Sequence, residues 1–325
     1  MRYYDVFNGD ADGICALHQL RLDFPVESEI ITGLKRDIAL LECVPAVEGD
    51  LVNVLDISLD RNREGLNALL ERGVIVHYFD HHYAGPIPGH RLLSAMIDPS
   101  GATCTSVLMD SHLGGRFRIW AVVGAFGDAM PEVALELAKD MGLDAAQLEA
   151  LRELGESLNY NAYGDTAADV MIEPAQLYRR VSHYADPFEL IEREPVIAHL
   201  MAQRRADLRR AAAIPVAYAS CAADAWVLPD AAWSRRVIGT FANRLAFGEP
   251  LRAHAVLAPA PSGGFTVSVR SPLAPGAMQA AEFCRRYPGG GGRAAAGGIE
   301  HLERASLERF LEAFAQAWRP ASQAA

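Results

Sequence analysis

The feature that most restricts what this chain can fold into is an alternation of two kinds of segment over its first eighty residues. Short β-branched or aromatic runs at 3–7, 29–32, 51–55 and 74–79 are separated by helix-patterned stretches at 13–22, 35–44 and 60–72. Alternation of this kind predicts a parallel sheet with helices on both faces. In such sheets ligands bind beyond the carboxyl ends of the strands, so the residues that end each run are the first to inspect. Asp10 and Asp12 follow the first run, Asp56 ends the third, and Asp80, His81 and His82 end the fourth. A single aspartate in such a place is ordinarily a helix cap or a turn residue. Three successive instances along one edge make that reading much weaker.

The string Asp10-Ala11-Asp12-Gly13 can send two carboxylates into one cavity, with the glycine turning the loop into the following helix. It is not a calcium-binding loop of the EF-hand type, in which the glycine falls at position six and a glutamate at twelve. Here Gly13 comes too early and Arg21 stands at the glutamate position. Asp128, in the segment 124–131 where an apolar helical pattern stops before Pro131, is a further acidic candidate that capping alone could explain. An oxygen-rich group with one or two imidazoles suits Mn²⁺, or Mg²⁺, better than structural zinc. Two such ions can clamp a phosphate and activate a water, so the chemistry inferred is phosphoester hydrolysis.

Beyond residue 100 the pattern turns helical at 105–113, 118–126, 131–141 and 145–157, followed by a polar, tyrosine-containing stretch at 159–169 that reads as a loop. Thr103 and Thr105 read first as helix caps and second as substrate contacts. A long amphipathic stretch at 195–213 reads as a helical connector. After it, strand patterns at 216–219, 252–257 and 265–270 mix with helices at 237–247, 277–287 and 306–318. The fold class expected is therefore α/β. Residues 1–190 form a parallel-sheet domain with helices on both faces, 191–214 a helical linker, and 215–325 a smaller α/β domain. The one low-complexity element is the glycine-rich stretch 289–298, after which a small-residue helical segment is expected.

The ordered set DxDG (10–13), VLDIS (54–58), FDHH (79–82) and GDAMP (127–131) resembles the DHH phosphoesterase superfamily, and the C-terminal pieces 267–271 and 289–298 look like its companion DHHA1 domain. The likeness covers nearly the whole chain. It implies that Asp56 bridges two divalent cations, that Asp10 binds the first, and that Asp12, His81 and Asp128 bind the second. It also implies that Asp80 orients His81 or the attacking water and that His82 sits near the substrate phosphate, making Asp80 and His82 the catalytic pair. Asn8, Ser268, Arg270, Gly290, Gly291, Gly292 and Arg293 are the expected substrate-binding residues.

Two positions depart from the family pattern. Val6 stands where a histidine often joins the first cation, which implies a weaker or more open first site. Arg293 replaces the histidine that usually ends the glycine motif, an exchange that keeps an anion-binding group because arginine can hold phosphate through paired hydrogen bonds.

Composition narrows the partners. A net charge of −11 is unlike a protein that coats long nucleic acid, which needs a basic surface. The four tryptophans are scattered and draw no stacking track. Five widely spaced cysteines without a CxxC pair, no leader-like start and no apolar stretch of membrane-spanning length point to a cytoplasmic protein without disulfides or membrane contact. The function expected is hydrolysis of short phosphorylated nucleotides: linear dinucleotides, nanoRNA or 3′-phosphoadenosine nucleotides. A homodimer is compatible with this. The alternatives are a single-strand exonuclease and a nucleotide sensor of weak catalytic power.

Overall fold

The computed structural model describes residues 1–34, 37, 39–164 and 166–319, and the chain divides into two compact units, Met1–Ala202 and Gln203–Ala325. Unit 1 is built on five parallel strands, β1 (Tyr3–Asn8), β2 (Glu29–Gly33), β3 (Leu51–Leu55), β4 (Ile75–Asp80) and β5 (Leu93–Ile97), in the order β2-β1-β3-β4-β5. Because successive side chains of a strand point to opposite faces, a sheet covered on both sides demands nearly continuous apolar strands. The two faces sort accordingly. Tyr4, Val6, Val52, Val54, Val76 and Tyr78 enter one core with Leu66, Leu69 and Leu70 of α2 (Arg63–Glu71). Phe7, Leu55 and Phe79 enter the other core, beneath α1 (Ala11–Asp23), α3 (Thr105–His112), α4 (Arg118–Gly127) and α6 (Ala145–Ala162).

Close approach of three of these helices places the edge chemistry. A Cβ on Gly127, the last residue of α4, would stand 2.3 Å from the Ala11 Cβ of α1 and 2.9 Å from the Gly155 carbonyl oxygen of α6. Only glycine lets the end of α4 come that near the first loop. Asp128 follows directly and is thereby brought to the carboxyl edge of β1. The remaining helices of this unit are α5 (Pro131–Ala138), α7 (Pro174–Val181), α8 (Pro187–Arg193) and α9 (Pro195–Ala212), the last running past the division between the units.

Unit 2 carries six strands, β6 (Tyr218–Ala219), β7 (Ala223–Val227), β8 (Ala253–Pro259), β9 (Phe265–Arg270), β10 (Gly290–Gly292) and β11 (Ala296–Leu302), in the order β10-β11-β9-β8-β7-β6. Among the described residues only the β7–β8 pair is parallel. One face packs on α11 (Ala280–Cys284) and α12 (Leu307–Ala317) through the rings of Phe283, Phe310 and Phe314 with Trp318. On α10 (Ala232–Gly248), Phe241 meets Trp226 of β7 edge to face at 5.7 Å.

Several sequence expectations need correction. The helix expected at 35–44 falls in part on Lys35, Arg36 and Ile38, which lie outside the described residues, and its described part holds only a 3₁₀ turn at Leu41–Cys43. The loop expected at 159–169 begins later, since α6 runs on to Ala162; Asp165 lies outside the described residues. The small-residue helix expected directly after the glycines is a strand instead: Gly290–Gly292 and Ala296–Leu302 pair as antiparallel strands. Small residues fit there because a Cβ on Gly290 would lie 1.9 Å from the Cys284 carbonyl oxygen.

Candidate metal centre

Strand register sets out the first row of the site. Phe7 pairs with Leu55 and Leu55 with Phe79, so the next residues, Asn8, Asp56 and Asp80, line up across the carboxyl ends of β1, β3 and β4. Asp10 then caps α1, its Oδ1 accepting from the backbone N–H groups of Asp12 (3.0 Å) and Gly13 (3.3 Å). A capping role and a ligand role are compatible, because a carboxylate has about four acceptor sites and the cap occupies one oxygen. Asp12 also serves a helix, one distant in sequence. Its Oδ2 accepts from Thr105 N–H at 2.7 Å and its Oδ1 from Ser106 N–H at 2.8 Å, so Asp12 caps α3 from 93 residues away. The expectation that Thr103 and Thr105 cap this helix is corrected: its N-cap position is Cys104, with no side-chain cap bond.

His81 lies among the carboxylates. Its Nδ1 faces the Thr103 carbonyl oxygen at 3.0 Å. A carbonyl can only accept, so Nδ1 carries the hydrogen and Nε2 is turned toward the acids, an arrangement that metal-ligating histidines use. Nε2 stands 3.4 Å from Asp56 Oδ1, 3.8 Å from Asp12 Oδ2 and 3.9 Å from Asp128 Oδ2. Asp128 occupies the C-cap of α4, the negative end of a helix dipole, where a carboxylate costs about 0.3–1 kcal/mol unless a cation offsets it. Asp80 reaches His82: its Oδ1 lies 2.7 Å from His82 Nδ1. The other oxygen, Oδ2, is buried and has no hydrogen-bond partner among the described residues, as is the case for Oδ1 of Asn8.

Electrostatics show what the cluster demands. Asp10, Asp12, Asp56 and Asp80 are each no more than 2% exposed. Burial, followed by the charges of Asp10 and Asp12, pushes the Asp56 carboxyl well above the ordinary range. Burial opposes a charged His81, yet the hydrogen bond and charge of Asp56, with Asp12 and Asp128, raise it to about 10. Asp12 is disfavoured by burial but held below its usual value by His81 and the bonds from Ser106. A buried acid cluster that raises one of its own members and traps a proton on a histidine is short of positive charge. Oxygen donors plus an inward imidazole nitrogen fit a hard divalent cation, and Asp56, His81 and His82 offer ligand atoms that all lie within 4.8 Å of one another. Val6 stands apart from the cluster, fully buried in the apolar core on the opposite face of the sheet.

The backbone at Asp56 also carries cost. Its φ of +60° is a conformation rare for residues other than glycine, asparagine and aspartate. The strand bond from Asp56 N–H to the Phe79 carbonyl oxygen (2.9 Å) and a bond from the Thr105 hydroxyl to Asp56 Oδ1 (3.2 Å) hold it there.

The expected substrate residues of unit 2 form a second group. Register across three strands puts Ser268 opposite Gly298 and Gly298 opposite Gly291. Arg270 donates from Nη1 to Ser268 Oγ (3.0 Å) and the Val269 carbonyl oxygen (2.9 Å), and from Nε to Asn243 Oδ1 (2.7 Å). A Cβ on Gly291 would meet no heavy atom within 4 Å, so open space lies over that glycine. Arg293 is exposed in the turn between β10 and β11, its N–H bonded to the Ala296 carbonyl oxygen at 2.7 Å. Asn243 was invisible in sequence, since nothing separates it from any other polar residue of a helix. Ser106 escaped notice for the same reason.

No protein-family model and no curated protein matches the chain. Solved structures do. The exonuclease RecJ bound to manganese aligns with a TM-score of 0.60 at 20% identity, over 98% of this chain and 90% of that one. RecJ from Thermus thermophilus in complex with Mn²⁺ aligns with a TM-score of 0.61 at 22% identity, over 97% of this chain but only 52% of that one. The pGpG-specific phosphodiesterase PggH from Vibrio cholerae aligns with a TM-score of 0.55 at 16% identity, over 97% of this chain and 99% of that one. The chain therefore shares the fold of these RecJ and PggH structures over nearly its whole length.

Proposed function

We propose that the protein is a metal-dependent phosphoesterase that hydrolyses short phosphorylated nucleotides, such as linear dinucleotides, nanoRNA or 3′-phosphoadenosine nucleotides. The observation that carries this reading is the convergence of three carboxylates, Asp12, Asp56 and Asp128, on the inward nitrogen of His81 at one edge of a parallel sheet. Asp10, Asp12, Asp56, His81 and Asp128 are the residues that would hold two divalent cations, Mn²⁺ or Mg²⁺, with Asp56 between them. Bound there, the cations would supply charge for the phosphate and an activated water as nucleophile.

The protein's own part is orientation and proton handling. Asp80 fixes the His82 ring through Nδ1, which leaves Nε2 as the nitrogen available to a substrate on a side chain 40% exposed. His82 is thus placed to hold or deliver a proton at the oxygen that leaves phosphorus. Arg270 with Ser268, the open face of Gly291, and Arg293 are proposed to hold a phosphate of the nucleotide, because an arginine fork beside small residues admits an anion closely. The net charge of −11 favours a short substrate over a long strand. An exonuclease and a pGpG-specific phosphodiesterase among proteins of this fold are in keeping with phosphodiester cleavage. No helix among the described residues is long and apolar enough to cross a membrane.

The test is a substrate panel with Mn²⁺: pGpG and other linear dinucleotides, 3′,5′-bisphosphorylated adenosine, cyclic dinucleotides, pyrophosphate and longer single strands. The expected outcome is turnover of one or more of the short linear substrates with little on the long strands. Activity confined to long strands would support the exonuclease reading, and none on any member, in protein shown to bind metal, the sensor.

A pH dependence follows from His81. With its pKa raised from 6.5 to about 10, the charged imidazole stabilises the metal-free fold fully below about pH 6.5, and that contribution is lost as pH rises through about 10. A cation that takes the place of this proton is helped by rising pH. Apparent Mn²⁺ affinity, measured by calorimetry, should increase by up to about tenfold per pH unit from neutrality toward pH 10, the slope expected for release of one proton. A flat profile would mean that no such proton is displaced.

A further inference from the structure

One short segment touches three members of the acid cluster. The Thr103 carbonyl accepts from His81 Nδ1, the Thr105 and Ser106 amides bind the two oxygens of Asp12, and the Thr105 hydroxyl reaches Asp56 Oδ1. Thr105 and Ser106 are fully buried and Thr103 is 9% exposed, so water does not compete for these bonds. Thr105 is the residue that joins two acids from different strand ends: its N–H holds Asp12 at 2.7 Å while its hydroxyl holds Asp56 at 3.2 Å. A β-branched side chain at the first position of a helix has few rotamers, so the hydroxyl is fixed relative to the amide of the same residue.

We propose that Thr105 is a positioning residue of the metal centre, setting the Asp56 carboxylate against Asp12 so that both meet the same cation. This rests on the cation reading given above. The hydroxyl occupies Asp56 Oδ1 from the side of α3 and, with the strand bond at the Asp56 N–H, keeps the residue in its left-handed backbone conformation. Removing the hydroxyl frees that carboxylate to rotate. It leaves the two backbone bonds to Asp12 in place, because they come from amides that a side-chain substitution retains.

The experiment compares wild type, Thr105→Val and Thr105→Ser in Mn²⁺ binding followed by calorimetry and by electron paramagnetic resonance, with Asp56→Asn alongside. Valine keeps the shape and removes the hydroxyl; serine restores it. The expected result is an affinity for Mn²⁺ about 10- to 100-fold weaker in Thr105→Val, the range found when a partner of a metal ligand is lost, with most of it regained in Thr105→Ser. Should the valine variant fail to fold, Thr105→Ala replaces it in the same comparison. Wild-type affinity in the valine or alanine variant, while Asp56→Asn loses Mn²⁺, overturns the role of Thr105 and leaves the cation reading standing. Serine binding no better than valine or alanine also overturns it, because packing and not the hydroxyl would then matter. Wild-type protein that takes up no Mn²⁺ removes the cation reading and this proposal with it.

Discussion

Asp56→Asn should lower kcat by at least about a thousandfold, the scale on which loss of a group facing transition-state charge is felt, while the protein stays folded. Asparagine matches aspartate in shape and tolerates the left-handed backbone of position 56, where φ is +60°. It can still accept from the Thr105 hydroxyl at the place of Oδ1. What it removes is the charge that burial and the neighbouring Asp10 and Asp12 make costly. The metal-free variant should therefore melt at or above the wild-type temperature, since a buried charge that burial, Asp10 and Asp12 together oppose more than His81 favours has been replaced by an amide. Loss of turnover with retained or raised Tm identifies Asp56 as a functional carboxylate whose repulsion the fold tolerates. Near-normal kcat in this variant would refute its place between the cations.

His82→Ala should lower kcat by roughly 10²- to 10⁴-fold, the usual contribution of a positioned acid or base, with Mn²⁺ affinity close to wild type. The distinction matters because His82 is near enough to be a ligand: its Nδ1 is 3.9 Å from Asp56 Oδ1. That nitrogen is engaged by Asp80 at 2.7 Å, however, and the side chain is 40% exposed whereas that of His81 is 2% exposed. The two histidines, adjacent in sequence with rings 4.5 Å apart, thus divide the work, one turned to the acids and the other to solvent. Calorimetric titration of the variant with Mn²⁺ separates the roles. A collapse of affinity would make His82 a ligand, and unchanged kcat would take it out of the reaction.

How much of this was legible in sequence depended on whether the signal was local. β1, β3 and β4 were readable because both faces of the sheet are buried, which forces apolar runs, and because each run stops at a polar residue. β5 was missed: Leu93–Ile97 sits at the edge of the sheet, where Ser94, Ala95 and Met96 are exposed and no burial pattern is imposed. β10 was hidden for the opposite reason, as its three glycines carry no side chain to pattern, and Gly290 and Gly292 answer to crowding that exists only in the folded chain. In the site, Asp10, Asp12, Asp56 and the pair His81–His82 announce themselves by position after strands. The Thr103–Ser106 segment does not, since its contacts with Asp12, Asp56 and His81 span 93, 49 and 22 residues and exist only once the chain has folded. The same applies to Asn243, which meets Arg270 across 27 residues.

The most direct test of the central claim is anomalous diffraction from crystals grown with Mn²⁺. The account requires a strong anomalous peak within about 2.5 Å, a coordination distance for oxygen and nitrogen ligands, of Asp56 and His81 Nε2, with Asp12 and Asp128 completing its shell. A second peak, of lower occupancy because Val6 offers no donor, is expected beside Asp10 and Asp56. Mn²⁺ bound elsewhere, with the Asp56–His81 cluster holding only water, would contradict it.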